Sequence, residues 1–285
     1  MTTRLISGET ESFFRFGNNF EIINMFKTAG FNAYDFTMFE GGINRLIDED
    51  DYKKKASDLR KYADKLGIVC NQAHAPFPTV RVNEQDYNDY IFQKILRALE
   101  VASILGAKTV IVHPCNNYTA EQNAEMYQRF LPYLKDLGVK IALENMWNWD
   151  KGSQFAKAAA CSHHDDFLKH LNMLDEKYFT ACLDIGHAEM KGLETSAVEM
   201  INTLKGRLTN IHIHDNNLIH DLHQLPYTGY IDFEQILHAL KINNYQGDIT
   251  FEANNFISSF PLELYPHAVK LMLETGKYFK KQLDN

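Results

Sequence analysis

No stretch of this 285-residue sequence approaches the roughly 20 consecutive apolar residues of a spanning helix. The first residues, MTTRLISGETESFF, show no basic segment leading into an apolar one, so no secretory leader is expected. The expected location is the cytoplasm, with no membrane partner. Cysteine is scarce, and Cys70, Cys115, Cys161 and Cys182 show no CxxC spacing. They read as reduced, buried small residues rather than a disulfide framework or a thiolate cluster. A Walker loop, G-x-G-x-x-G, HExxH and G-x-S-x-G are all missing, which removes the usual support for nucleotide cradles, zincin chemistry and serine hydrolysis. Positive charge is also short, since 29 Lys and Arg against 37 Asp and Glu leave a net charge of −8. That balance opposes a polyanionic partner, and nucleic acid is not expected as a substrate.

What is present is a regular alternation. Short runs rich in Val, Ile, Leu and Phe recur at 4–7, 31–36, 68–73, 109–113, 140–144, 179–184, 209–214 and 248–252. Between them lie segments such as 52–66, 85–105 and 121–137, with apolar residues three and four apart and Gly67, Gly106 and Gly138 as stops. Eight strand-helix units without a linker predict one α/β domain over 1–285, a (β/α)8 TIM barrel. The longer loops, 9–19, 145–162 and 216–230, each follow a strand and should gather at one end.

The residues that end the strands carry the chemistry. Strand three closes on His74, strand four on His113, strand five on Glu144, strand six on Asp184 with His187 beyond, strand seven on His212 and strand eight on Glu252. Successive gaps from His74 to Glu252 are 39, 31, 40, 28 and 40 residues, one strand-helix unit each time. Carboxylates and imidazoles at the mouth of a closed barrel are costly unless paired or bound to a cation. A divalent metal is the expected occupant. Strand alternation turns His212 and His214 to one face, and spacing does not choose between them. Asp221 and His223 add a D-x-H pair in the loop after that strand.

Each of these residues also has a bland reading. A single His74 or His113 is more often a hydrogen-bonded core residue than a ligand, and only six successive polar strand ends tip the balance. The HHDD run at 163–166 precedes a helix, with Asp165 or Asp166 expected as its N-cap. Trp147 and Trp149 follow Glu144 and either wall a substrate pocket or pack on neighbouring loops.

The segments LENMW around Glu144, LDIGHA at 183–188, IHIHDN at 211–216, DLHQLPYTGYID at 221–232 and TFEAN around Glu252 resemble the xylose isomerase-like TIM barrel superfamily. That superfamily groups sugar isomerases and epimerases with AP endonuclease family 2, the endonuclease IV class. In the isomerase members the resemblance implies one divalent ion, Mn, Mg, Zn or Co, held by Glu144, Asp184, His212 and Glu252. His212 is preferred because in H-x-H-D-N the ligand stands three residues before the aspartate, here Asp215. Glu144 and Glu252 inherit the catalytic roles, one removing and one returning a proton beside a carbonyl. His187 would contact a substrate oxygen, and His74, His113 and Trp147 are further substrate-binding candidates.

The nuclease members hold up to three zinc ions, and here His74, His113, His187, Asp221 and His223 could supply the additional ligands. Strand four continues HPCNN where the nucleases have HPG and a serine, which weakens that likeness. The segment after Asp221 also lacks the usual second glycine, reading Thr228-Gly229-Tyr230. The expected activity is a metal-dependent isomerase or epimerase of carbohydrate metabolism, acting on a small sugar or keto-sugar. Its rivals are an endonuclease IV-like zinc phosphodiesterase and a non-catalytic sugar-binding barrel. The expected partner is a small-molecule sugar substrate, and a homo-oligomer stays open.

Overall fold

The computed structural model describes residues 4–13, 15–39 and 46–284; Phe14, within the first long loop, lies outside them. Eight parallel strands form the central sheet: β1 (Ile6–Gly8), β2 (Ala33–Thr37), β3 (Val69–His74), β4 (Thr109–Ile111), β5 (Lys140–Glu144), β8 (Phe179–Asp184), β9 (Leu208–Ile213) and β10 (Ile249–Phe251). A two-stranded hairpin, β6 (Asn148–Asp150) with β7 (Phe155–Lys157), stands apart from it. The order β1-β10-β9-β8-β5-β4-β3-β2 runs around a ring. A parallel bridge from Glu9 to Asp35, with Thr10 N donating to Asp35 O at 2.9 Å, joins the two end strands. The result is the expected TIM barrel.

Helices α1 (Asn19–Ala29), α2 (Tyr52–Leu66), α3 (Gln85–Leu105), α4 (Ala120–Gln128), α5 (Leu131–Leu137), α6 (His164–Asn172), α7 (Ile185–Ala188), α8 (Ala197–Leu204), α9 (Phe233–Ile242), α10 (Asn254–Ser258) and α11 (Tyr265–Asp284) connect the strands. In α2 the buried residues are Ala56, Leu59 and Ala63, three and four apart, as an amphipathic helix against a sheet requires. Gly67, Gly106 and Gly138 follow their helices with φ of 66°, 91° and 67°, the left-handed backbone that ends a helix at least cost for glycine. The four cysteines are buried and unpaired, as expected. Among the described residues no helix is long and apolar enough to cross a membrane.

Three local expectations change. The segment 121–137 is two helices broken at Arg129 and Phe130. Pro132 has no N–H to donate, and its ring would strike the carbonyl four residues back in a continuous helix. The loop 145–162 contains the hairpin, because Trp149, Phe155 and neighbouring residues can pair locally across a turn at Asp150. At the HHDD run the N-cap of α6 is His163, whose Nδ1 accepts from Asp165 N at 3.3 Å, and neither Asp165 nor Asp166. Asp165 and Asp166 lie inside the first turn, where Asp166 reaches back to accept from Cys161 N at 2.9 Å.

Candidate metal centre

All strands of the ring are parallel, so their C-terminal ends open on one mouth, and side chains that alternate inward there converge. Glu144, at the end of β5, is 1% exposed and is ringed by imidazoles. Its Oε2 lies 3.0 Å from His113 Nε2 and 3.5 Å from His74 Nε2, and its Oε1 lies 3.2 Å from His212 Nδ1 and 3.9 Å from His187 Nδ1. Glu252 brings Oε2 to 3.0 Å from the same His212 Nδ1. That contact is an ionic approach without hydrogen-bond alignment, for Glu252 Oε2 has no hydrogen-bond partner.

The two histidines of the seventh ring strand part company. His212 faces Glu144 and Glu252, whereas His214 turns Nε2 to Asp184 Oδ1 at 3.0 Å and to Asp221 Oδ1 at 3.5 Å. Asp184 caps α7 by accepting from His187 N at 2.7 Å, which folds the LDIGHA segment so that His187 returns to the mouth. There His187 Nε2 meets Asp221 Oδ2 at 3.2 Å, and His223 Nε2 meets the same oxygen at 3.2 Å. The ring of His223 stacks on that of His214 with centroids 4.0 Å apart.

Asp215 shapes the loop that delivers Asp221 and His223. Its carboxylate accepts from Gly229 N at 2.8 Å, Ile231 N at 3.2 Å and Asn216 N at 2.8 Å. A side chain at 229 would overlap that carboxylate, so the one glycine kept in Thr228-Gly229-Tyr230 is the one the loop needs.

Three groups of donors therefore meet the distance condition for a shared cation. Glu144, Asp184, His212 and Glu252 form one; His74, His113 and Glu144 a second; His187, His214, Asp221 and His223 a third, each with donor atoms within 4.8 Å of one another. Asp184 Oδ2, Glu252 Oε2, Asp221 Oδ1 and both ring nitrogens of His214 are buried without hydrogen-bond partners. Orphaned acceptors in such number are costly unless a cation satisfies them, so the donor set fits a divalent ion. A further group at His163, His164 and Asp165 lies at the start of α6, shares no residue with the other three and has Asp165 exposed.

Burial works against every charge here, and mutual attraction overrides it. Burial raises the Glu144 carboxyl, but His212 and His113 outweigh it and hold that group well below the usual range. Glu252, against the same penalty of burial, is drawn down to about 2 by His212 and His223. His223, despite burial, is lifted to about 10 by Asp221 and Glu252. His113 is the exception, because burial wins and its pKa falls.

Trp147 packs on Ala156, Met190 and Leu193 beside the hairpin, its ring 6.4 Å from that of His187. Trp149 stacks over His220 at 5.6 Å. The pair thus packs on neighbouring loops, the second of the two sequence readings.

Three polar residues escaped the sequence reading. Glu9, at the closing bridge of the ring, is 1% exposed, keeps Oε2 unpartnered and takes one hydrogen bond from Ser12 Oγ at 2.8 Å. Burial and the nearby Glu252 push its carboxyl well above the ordinary range. Asp35 and Gln72 lie one level below the ligands, where Gln72 Oε1 accepts from Asn210 Nδ2 at 2.7 Å across the barrel. Ile111, Ala142 and Cys182 form a small separate buried cluster.

The comparisons with known proteins agree with this architecture. An uncharacterized protein of Methanocaldococcus jannaschii is 29% identical over 195 residues, a match that covers 64% of this chain and 64% of that protein's length. Among solved structures, a D-tagatose 3-epimerase-like protein superposes with a TM-score of 0.76 at 22% identity, covering 98% of both chains. The IolI protein with a bound zinc atom superposes at 0.71 with 19% identity, also covering 98% of both. The model of the xylose isomerase-like TIM barrel family matches residues 23–275, and the chain belongs to that family.

Proposed function

We propose that this protein is a divalent-metal-dependent sugar isomerase or epimerase that moves a proton at the carbon beside a carbonyl of a small sugar or keto-sugar. The observation that carries the reading is the placement of Glu144 and Glu252, two buried carboxylates that approach one imidazole nitrogen, His212 Nδ1, at 3.2 and 3.0 Å from different strands. Both are held ionised, so both can accept a proton. Glu144, Asp184, His212 and Glu252 would hold the ion, which when bound polarises a carbonyl oxygen and acidifies the neighbouring C–H.

The rest is work for this chain's own side chains. One glutamate takes the proton from carbon; for epimerisation the other, having first drawn a proton from water or a substrate hydroxyl, gives it to the opposite face, and for isomerisation the first returns its proton to the adjacent carbon. His187, fixed by donation from Nδ1 to Asn145 O at 2.9 Å, presents Nε2 to the mouth, where it can meet a substrate oxygen. His74, anchored through Nδ1 on Ala75 O at 2.9 Å, and His113 line the other flank of Glu144. The fold likeness to a D-tagatose 3-epimerase-like protein makes keto-hexoses the first probes.

The test is incubation of the Mn2+-loaded protein with D-tagatose, D-fructose and related keto-sugars in deuterated water. Deuterium at the carbon beside the carbonyl, lost in Glu144→Gln and Glu252→Gln, is the expected result; exchange retained in both variants removes the role given to them. A second reading, a three-zinc phosphodiesterase, is favoured by the three donor groups. About three zinc ions per chain together with cleavage of abasic DNA would establish it in place of the first.

A further inference from the structure

A metal-ligating imidazole has two ring nitrogens, and the one that does not face the ion decides whether the other can. At His212 the two are sharply different. Nδ1 looks to Glu144 and Glu252, whereas Nε2 looks down into the barrel, 3.0 Å from Gln72 Nε2 and 3.6 Å from Asp35 Oδ2. Gln72 Nε2 also donates to Asp35 Oδ2 at 2.8 Å. Gln72 cannot rotate freely to change this pattern, because its Oε1 is taken by Asn210 Nδ2 at 2.7 Å and Asn210 Oδ1 is in turn taken by Thr209 Oγ1 at 2.8 Å.

The contact between the two nitrogens has a definite consequence. Gln72 Nε2 carries hydrogens only, so in the neutral ring, the form that can ligate, that contact makes His212 Nε2 the acceptor and leaves the ring hydrogen on Nδ1, pointing at the two glutamates. An ion held by Glu144 and Glu252 needs the Nδ1 lone pair. The ring hydrogen must then reside on Nε2, and among the described residues Asp35 brings the one carboxylate within 4 Å of that nitrogen. Asp35 is 1% exposed and its other oxygen, Oδ1, is buried with no hydrogen-bond partner. Oδ2, the oxygen that faces Nε2, accepts one hydrogen from Gln72 and keeps further lone-pair capacity for the ring hydrogen.

We propose that Asp35 is the positioning residue for His212: in competition with the Gln72 amide it accepts the Nε2 hydrogen, and so turns the Nδ1 lone pair toward the ion. This rests on the cation reading of the site, and it assigns a function to a strand whose residues supply no ligand of their own. Cys182 also faces His212, but a neutral thiol is a much weaker acceptor than a carboxylate, which leaves Asp35 as the group able to set the tautomer.

The experiment is titration of the metal-stripped protein with Zn2+ and Co2+ by calorimetry, with the visible absorption of the Co2+ form as the second readout. In Asp35→Asn the amide oxygen keeps the shape and can still accept from Gln72, but it carries no charge and is the weaker acceptor for the Nε2 hydrogen. Affinity should fall about 10- to 100-fold, with an altered Co2+ spectrum and an unchanged circular dichroism spectrum. Adding Gln72→Glu to that variant returns a carboxylate to the same nitrogen and should restore both affinity and spectrum, which a residue needed only for packing would not do. Unchanged affinity and spectrum in Asp35→Asn overturn the inference while leaving the ion site standing. Loss of affinity that Gln72→Glu fails to restore also overturns it, and a wild-type protein that binds neither ion overturns the site itself.

Discussion

Gly186 lies directly beneath the ring of His214, so close that a methyl group in place of its hydrogen would overlap the imidazole. The glycine of the LDIGHA segment is therefore a packing requirement of the second histidine in IHIHDN, two motifs joined across neighbouring strands. Gly186→Ala should force His214 from its place against Asp184 and His223, at a cost of about 1–3 kcal/mol as for other overpacked cores. Chemical denaturation of the variant measures this, and an unchanged midpoint would show that the ring can move aside freely.

The charge pattern at the mouth predicts a bounded pH range for the metal-stripped protein. His223, raised from 6.5 to about 10, contributes stability that is complete below pH 6.5 and is lost as the pH climbs toward 10. Glu252, lowered from 4.5 to about 2, contributes stability that is complete above pH 4.5 and is lost as the pH falls toward 2. Between pH 4.5 and 6.5 both contributions are whole. Melting temperatures of chelator-treated protein should decline on both sides of that range; a rise between pH 7 and 10 would contradict the pairing of His223 with Asp221.

Cation binding should release protons. An imidazole that ligates must surrender its lone pair to the ion, and His223, with its pKa raised to about 10 beside Asp221, carries a proton at pH 7 that the ion must displace. Calorimetric titrations with Zn2+ in buffers of different ionisation enthalpy should show net proton release near pH 7, and affinity should increase with pH. Heats independent of the buffer would mean that His223 does not ligate.

All four thiols are buried, and burial pushes each of them up, Cys182 to about 12. None should react with Ellman's reagent at pH 8 in the folded protein, and all four should react in denaturant. Rapid labelling of a native thiol would mean that its surroundings open.

Truncation of Asn123 tests how the His113 side of the mouth is held. Its Oδ1 accepts from Cys115 N at 2.9 Å, and its Nδ2 reaches His170 Nε2 at 3.2 Å, pinning the chain just after His113. Asn123→Ala leaves these buried groups unsatisfied and should cost about 1–3 kcal/mol. A stability loss without any change in Zn2+ stoichiometry is the expected pair of results.

How far the sequence could be read follows from where its polar residues sit. Glu144 and Asp184 stood out because each ends an apolar run, IAL and ACL, that no solvent-facing strand would carry. Asp35 was invisible for the opposite reason, since Tyr34-Asp35-Phe36 is the alternation of any half-exposed strand and nothing local says that its polar face is the barrel interior. Glu9 follows a strand of three residues whose pairing is set by β10, more than 200 residues away, so it reads as the start of a loop. Gln72 gains its meaning from Asn210 across the ring, a contact between strands that are not neighbours. The His163 cap was missed because residue preferences at N-caps favour aspartate, while the Asp166 side chain is engaged with Cys161.

The ring order gives the centre a history within each molecule. Glu144, Asp184, His212 and Glu252, with His187, Asp221 and His223, all come from β5 onward, while among the described residues the strands before it lend His74, His113 and the support of Asp35 and Gln72. During synthesis β1 to β4 emerge first and must collapse on apolar packing alone, with no ion to reward them. Cation capture is then an event of the last strands, so a chain that stalls after β5 would be partly shaped yet unable to hold metal at the four-residue group.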